Sequence, residues 1–168
     1  EEFNTTVNTV TGAAWASGGN MVSGRLMLAG CGTQTAGLAF GGEDPSTTAD
    51  TEEYNGTSWS EQNNLPSVKQ KHGSAGTQTA ALCIGGTPDD DQTSHYGGTS
   101  WTAGGNLGTG RYDISGTGTQ TAALAFGGNN DPDGTEEYNG SSWTAGGNLN
   151  TGRALAGRAG TQTAALGF

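Results

Sequence analysis

Basic residues are scarce in this chain of 168 residues: Lys and Arg number 6 against 16 Asp and Glu, for a formal net charge of −10. So acidic a chain lacks the basic patch with which nucleic-acid and anionic-membrane binders hold phosphate, and neither partner is expected. Long apolar runs are missing as well. No stretch approaches the roughly 20 residues that cross a bilayer as a helix, so membrane insertion is not expected. Cysteine occurs twice, at Cys31 and Cys83, at different phases of the repeat described below, where other copies carry Ala, Thr or Gly. Both read as small packing residues, not as a disulfide or a metal pair. Histidine also occurs only twice, too few for a copper site built from several His ligands. No local Ser, His, Asp signature, phosphate-cradling loop or usable helical period is present. Carboxylates are plentiful, so a small glycosidase stays open as a minor alternative. The chain is otherwise read as noncatalytic and without a cofactor. It opens on Glu1 with neither an initiator Met nor a signal-like segment, as a processed chain or a piece of a longer one does.

What is abundant is glycine, at 32 residues, and it is periodic. GTQTAGLAFGG at residues 32–42 returns as GTQTAALCIGG at Gly76, as GTQTAALAFGG at Gly118 and as GTQTAALGF at Gly160, at spacings of 44, 42 and 42 residues. A fixed period of roughly 20–50 residues marks an array of one supersecondary unit. The glycines are therefore structural and do not signal a disordered tract.

The third copy shows the unit without interruption. Residues 112–117 can extend, Gly118-Thr119-Gln120 turns, and residues 121–126 alternate loosely until Gly127-Gly128 ends the strand through positive φ. After the loop NNDPDG come TEEY, Asn139-Gly140 and SSWTA. Asn-Gly between two such runs predicts a type I′ hairpin, with Asn supplying positive φ. Asn55-Gly56 repeats the signal and Gly97-Gly98 replaces it. Asn4, Asn55 and Asn139 also fit the N-glycosylation pattern and are read as structural. Each unit is expected to hold four short strands in up-and-down order. Such a meander cannot bury both faces alone, and stacking copies around an axis as propeller blades solves this. The outer-strand Trp, at Trp15, Trp59, Trp101 and Trp143, is expected to fill the space where blades spread apart.

A strand ending in Gly-Gly, then Tyr, then Trp a few residues on, then a basic residue, resembles the kelch repeat. Gly41-Gly42, Tyr54, Trp59 and Lys69 carry it, as do Gly85-Gly86, Tyr96, Trp101 and Arg111, and Gly127-Gly128, Tyr138, Trp143 and Arg153. The resemblance implies an all-β, kelch-like β-propeller. Here it would have four blades of four antiparallel strands in a single domain over residues 1–168. The blades fall at about 25–59, 69–101 and 111–143, with a split blade made of 153–168 plus 1–15. Glu1-Glu2-Phe3-Asn4 matches Glu136-Glu137-Tyr138-Asn139, so pairing the N- and C-terminal strands would close the ring. Kelch rings usually have about six or seven blades; a piece of a larger ring, or two chains sharing one, are the alternatives to closure.

The wording TEEYNGTSW, GGNLNTGR and GTQTAALAFGG also resembles kelch-like repeats in structural proteins of marine bacteriophages, notably those infecting cyanobacteria. That resemblance implies a virion or extracellular setting. The leading expectation is a tail or fibre component that recognises a host surface glycan or protein. The alternative is a structural or decoration protein whose partner is another virion subunit.

Four copies of one framework separate what this chain keeps from what it varies. A basic residue is kept at Arg25, Lys69, Arg111 and Arg153. An acidic pair is kept at Glu1-Glu2, Glu52-Glu53 and Glu136-Glu137, with Ser94-His95 in its place once. A bridge within or between blades is the plain expectation, and a ring of Arg forming an axial anion site is the alternative. The innermost strand varies instead: Leu26-Met27-Leu28, Gln70-Lys71-His72, Tyr112-Asp113-Ile114 and Ala154-Leu155-Ala156 share one phase. Propellers commonly bind ligands at the axis mouth, so Gln70, Lys71, His72, Tyr112 and Asp113 are the candidate binding residues, with drift at exposed positions as the plainer explanation. The loops that begin at Glu43, Thr87 and Asn129 lie on one face of the ring. There Asp89 with Asp91, and Asp131 with Asp133, offer oxygen ligands for Ca²⁺. The full Ca²⁺-loop pattern is absent, and Asp beside Pro and Gly is ordinary turn chemistry, so no metal is expected.

Overall fold

The computed structural model describes residues 17–88 and 90–168. Expectations for Glu1, Glu2, Phe3, Asn4, Trp15 and Asp89 lie outside the described residues. β1 (Ala29–Thr33), β2 (Ala36–Phe40), β3 (Thr51–Tyr54) and β4 (Trp59–Gln62) form an antiparallel sheet in chain order. β5 (Gly73–Thr77), β6 (Ala80–Ile84), β7 (Thr93–Tyr96) and β8 (Trp101–Ala103) form a second. β9 (Ser115–Thr119), β10 (Ala122–Phe126), β11 (Thr135–Tyr138) and β12 (Trp143–Ala145) form a third. β13 (Arg158–Gly160) and β14 (Ala165–Gly167) pair as a two-stranded sheet. No helix occurs among the described residues, and the three complete sheets are the up-and-down meanders that the repeat implies.

The repeated glycines are set by sterics. In the inner hairpins, Gly32, Gly76, Gly118 and Gly160 have φ between 101° and 109°. A Cβ there would stand 2.1–2.3 Å from the carbonyl oxygen of Ala36, Ala80, Ala122 or Ala164, so only glycine fits. The Gly-Gly pair does more than end a strand. A Cβ on Gly85 would meet the Arg111 carbonyl oxygen at 2.5 Å, and one on Gly127 would meet that of Arg153 at 2.3 Å. The second glycine donates its N–H to the same carbonyl: Gly42 to Lys69 at 2.7 Å, Gly86 to Arg111 and Gly128 to Arg153 at 2.9 Å. The pair is thus a joint to the following repeat.

The outer hairpins differ from the expected type I′ turn. Tyr54 pairs with Trp59, and Tyr138 with Trp143, so four residues lie in each connection. Gly56 and Gly140 hold the positive φ, at 92° and 96°, whereas the asparagines do not. Asn55 serves through its side chain, whose Oδ1 accepts from the N–H groups of Thr57 and Ser58 at 3.0 Å, and Asn139 does the same for Ser141 and Ser142. An Asx turn needs that oxygen and not a left-handed residue.

The core lies between successive sheets. Leu38 and Phe40 of β2 pack on Ala81 and Cys83 of β6, and Leu82 and Ile84 of β6 pack on Ala123 and Ala125 of β10. Alternate residues of β6 therefore face opposite neighbours, large side chains one way and small ones the other. Cys83 occupies a small position, as the sequence implies, and both cysteines are free thiols. In β14 the equivalent small residue is Gly167, where a Cβ would lie 2.7 Å from the Phe126 ring. The Trp residues fill the outer gap: Trp101 Nε1 donates to Thr51 Oγ1 and Trp143 Nε1 to Thr93 Oγ1, each at 2.9 Å and each onto the preceding sheet.

A second clasp explains why Gln recurs in GTQT. Gln78 Nε2 donates to the carbonyls of Gly37 and Tyr54, Gln120 to those of Ala81 and Tyr96, and Gln162 to those of Ala123 and Tyr138. In each case one amide ties two neighbouring strands of the preceding sheet. β5 lies beside β1 and β9, and β9 beside β13. The innermost strands thus follow one another in chain order, and all four line one shared cavity.

Candidate functional site

The triplets expected to open the innermost strands instead stand just before them. β1, β5, β9 and β13 begin at Ala29, Gly73, Ser115 and Arg158, and the middle residue of each triplet is left-handed: Met27, Lys71, Asp113 and Leu155 have φ of 53–57°. Four non-glycine residues in this region are individually unfavourable. A common hydrogen-bond pattern holds them. Lys71 N–H donates to Met27 O at 3.0 Å, Asp113 N–H to Lys71 O at 2.8 Å and Leu155 N–H to Asp113 O at 2.9 Å. The four residues form a chain of backbone links around one mouth of the central cavity, and all four line it.

The residue before each bend connects the mouth to the loops after Gly-Gly. Leu26 exchanges backbone hydrogen bonds with Glu43, Gln70 does so with Thr87, and Tyr112 O accepts from Asn129 N–H. The variable mouth and the variable loops therefore occupy the same end of the molecule. Of the candidate binding residues, Lys71, His72 and Asp113 line the cavity. Gln70 and Tyr112 stand at its margin: Gln70 Nε2 donates to Thr47 Oγ1 at 2.9 Å, and the Lys71 ammonium lies 5.6 Å from the Tyr112 ring centroid. His72 is largely enclosed, stacked on Phe40 with ring centroids 5.2 Å apart, and burial lowers its pKa to about 4. It is neutral at pH 7. Asp113 is oriented by Asn129 Nδ2, which donates to its Oδ2 at 2.8 Å. Met27 and Leu155, which line the mouth, and Leu26 beside Met27 leave apolar surface exposed.

The kept basic residues Arg25 and Arg111 make buried ion pairs within their own repeats and do not form an axial ring. Arg25 Nη1 lies 2.9 Å from Glu52 Oε1, and Arg111 Nη2 lies 2.7 Å from Glu136 Oε1. Each carboxylate also accepts from the segment leading into its arginine, Glu52 from Val22 N–H and Glu136 from Gly108 N–H, both at 2.7 Å. Where the second repeat has Lys69, the carboxylate position holds Ser94. Arg153 Nη1 donates to Gly167 O at 3.1 Å.

The acidic loops fasten themselves to the chain. Asn64 donates to Asp50, Asn106 to Asp91 and Asn148 to Asp133, each side-chain contact at 3.0 Å. Asp131 Oδ2 lies 3.9 Å from Arg111 Nη1. Among the described residues no three His, Cys, Asp or Glu side chains gather as a metal-binding group.

Two features escape a reading of the sequence alone. One is the glutamine clasp, whose only signal is the recurrence of Gln within an otherwise small-residue motif. The other is Arg158. Its phase in the other copies holds Gly30, Ser74 and Gly116, so it breaks the repeat with a long cation where the others are small. No protein-family model and no curated protein matches the chain.

Proposed function

We propose that this chain is a kelch-like, four-bladed propeller that acts as a noncatalytic binding module on a bacteriophage tail or fibre, recognising a host surface glycan or protein. The observation that carries the reading is the mouth. Four backbone-equivalent bends display Met27, Lys71, Asp113 and Leu155 around one cavity, beside loops that vary as they do. A rigid repeated frame with variable side chains at one end suits recognition, and many copies on a particle would turn weak contacts into avidity. The test is retention of multivalent protein on host cells and on a glycan array. Specific retention that is lost on replacing Lys71 and Asp113 together supports recognition, and no retention at high valency defeats it.

A second reading has its own support. The exposed apolar trio Leu26, Met27 and Leu155 on the same face suits burial against another virion subunit, which is the decoration role. Labelling of this face in assembled particles separates the two readings: protection means assembly surface, and accessibility means recognition.

Ring closure belongs to the same proposal. Gln34 is the fourth glutamine of the set and is exposed, whereas Gln78, Gln120 and Gln162 are half-buried in their clasps. By the repeat's phase, a partner in a closed ring is the carbonyl of Ala165, the equivalent of Gly37, Ala81 and Ala123.

A further inference from the structure

Arg158 lines both cavities that run along the axis, the one at the loop face and the one among the inner-strand turns. Its Nη2 donates to Ser74 Oγ at 2.5 Å, the one hydrogen bond its guanidinium makes among the described residues. None of the ion pairs formed by described residues includes it. The nearby Cys31 thiol is no counter-ion, since burial pushes its pKa up to about 12. Burial also works against the charge of Arg158, yet a guanidinium keeps its proton in proteins. The molecule is strongly acidic, but it holds at its centre a partly desolvated cation that no described carboxylate satisfies. The surrounding walls contribute hydroxyls and backbone from Ser74, Ser115 and Thr117.

We propose that the axial cavity is a receptor for a small carboxylate ligand, anchored at depth by Arg158 and selected at the rim by Lys71, Asp113, Met27 and Leu155. The planar guanidinium fork, with Nε and Nη1 not engaged by described residues, matches a carboxylate through paired hydrogen bonds. The loop-face cavity, about 280 Å³, sits at the small end of ligand sites, which suits a single carboxylated sugar or a small organic acid. Lys71 adds attraction for the same group, and Asp113 disfavours a second negative charge on its side. The apolar rim formed by Met27 and Leu155 offers a surface for the ring or alkyl body of the ligand. This inference names the ligand class of the recognition site and rests on that reading only for the biological setting.

The experiment is calorimetric titration of the intact chain with acetate, glucuronate, glucose and sulfate, repeated with Arg158→Gln. Both carboxylates are expected to bind at millimolar concentrations and glucose is not, and R158Q should weaken the carboxylates about tenfold or more, the factor that a loss of about 1.4 kcal/mol represents. Absence of carboxylate binding, equal binding by R158Q, or sulfate binding as well as acetate would overturn the proposal. Should R158Q not fold, phenylglyoxal labelling of the wild-type chain decides the matter: glucuronate must protect Arg158 from modification, and unchanged labelling refutes the site. Host-cell retention that persists in R158Q would leave surface recognition standing while removing the carboxylate from it, so the two failures are distinguishable.

Discussion

Glu136 and Arg111 are both buried, and the carboxylate is shared between the guanidinium and the backbone of the segment that enters the repeat. Breaking such a pair from one side strands a charge in a poorly solvated place. E136Q is expected to cost about 3–5 kcal/mol in chemical denaturation, whereas E137Q, at the exposed neighbouring position, should stay within about 0.5 kcal/mol. Equal effects would show that the pair is not the cause. His72 makes the second prediction at this scale. Its folded-state pKa is lowered to about 4 from an ordinary 6.5, so below pH 6.5 the unfolded chain takes a proton that the folded one refuses. Stability from this group is fully present above pH 6.5 and is lost as pH falls toward 4, on the order of 3 kcal/mol in all. H72Q should flatten the slope of stability against pH in that window, and an unchanged slope would refute the assignment. Both residues were visible in the sequence as repeat positions. The buried pair was foreseeable from its recurrence, but enclosure of His72 by Phe40 was not, because a side chain's solvent exposure depends on the neighbouring repeat.

At the scale of elements, the glutamine clasp replaces what a continuous sheet would do. Successive sheets are not hydrogen-bonded to one another as strands are, so the side-chain amide carries part of the link across the gap. Removing it takes a donor from the carbonyls of two buried residues, Ala81 and Tyr96, and Q120A is expected to lower stability by about 1–3 kcal/mol by thermal or urea unfolding. Q120E, which loses the donor but keeps the shape, should behave similarly; a neutral result for both would make the clasp incidental. The strands themselves were legible from the Gly-Gly punctuation and the alternation in AALAF. Less legible were the outer turns and the mouth bends. Asn-Gly signals a two-residue turn when only local backbone preference is considered, but the side-chain oxygen of Asn55 organises four residues instead. The mouth triplets read as strand because their left-handed middle residues are ordinary amino acids, held by backbone bonds to the preceding repeat.

For the whole molecule, the question is whether the four repeats complete a ring. Three backbone links join Met27, Lys71, Asp113 and Leu155 in order, and among the described residues no link returns from Leu155 to Met27. If the ring closes within one chain, Gln34 makes the fourth clasp, and Q34A should destabilise a monomer by the same roughly 1–3 kcal/mol as Q120A. A silent Q34A in a chain of monomeric mass, measured by native mass spectrometry and unfolding together, would show an open array.

The unit is written in the amino-acid order of each copy: its period, its four strands, the placement of its glycines, and the small positions that receive large neighbours. These follow from local sterics and side-chain volume, which are written in each copy and reinforced by repetition. Tertiary structure alone decided which side chains meet between copies. It buried His72 against Phe40, bent the mouth triplets and set Arg158 in a cavity among the innermost strands without a described carboxylate beside it. Those outcomes depend on what one repeat presents to the next across the gap between sheets, a relation that the sequence of a single repeat does not contain.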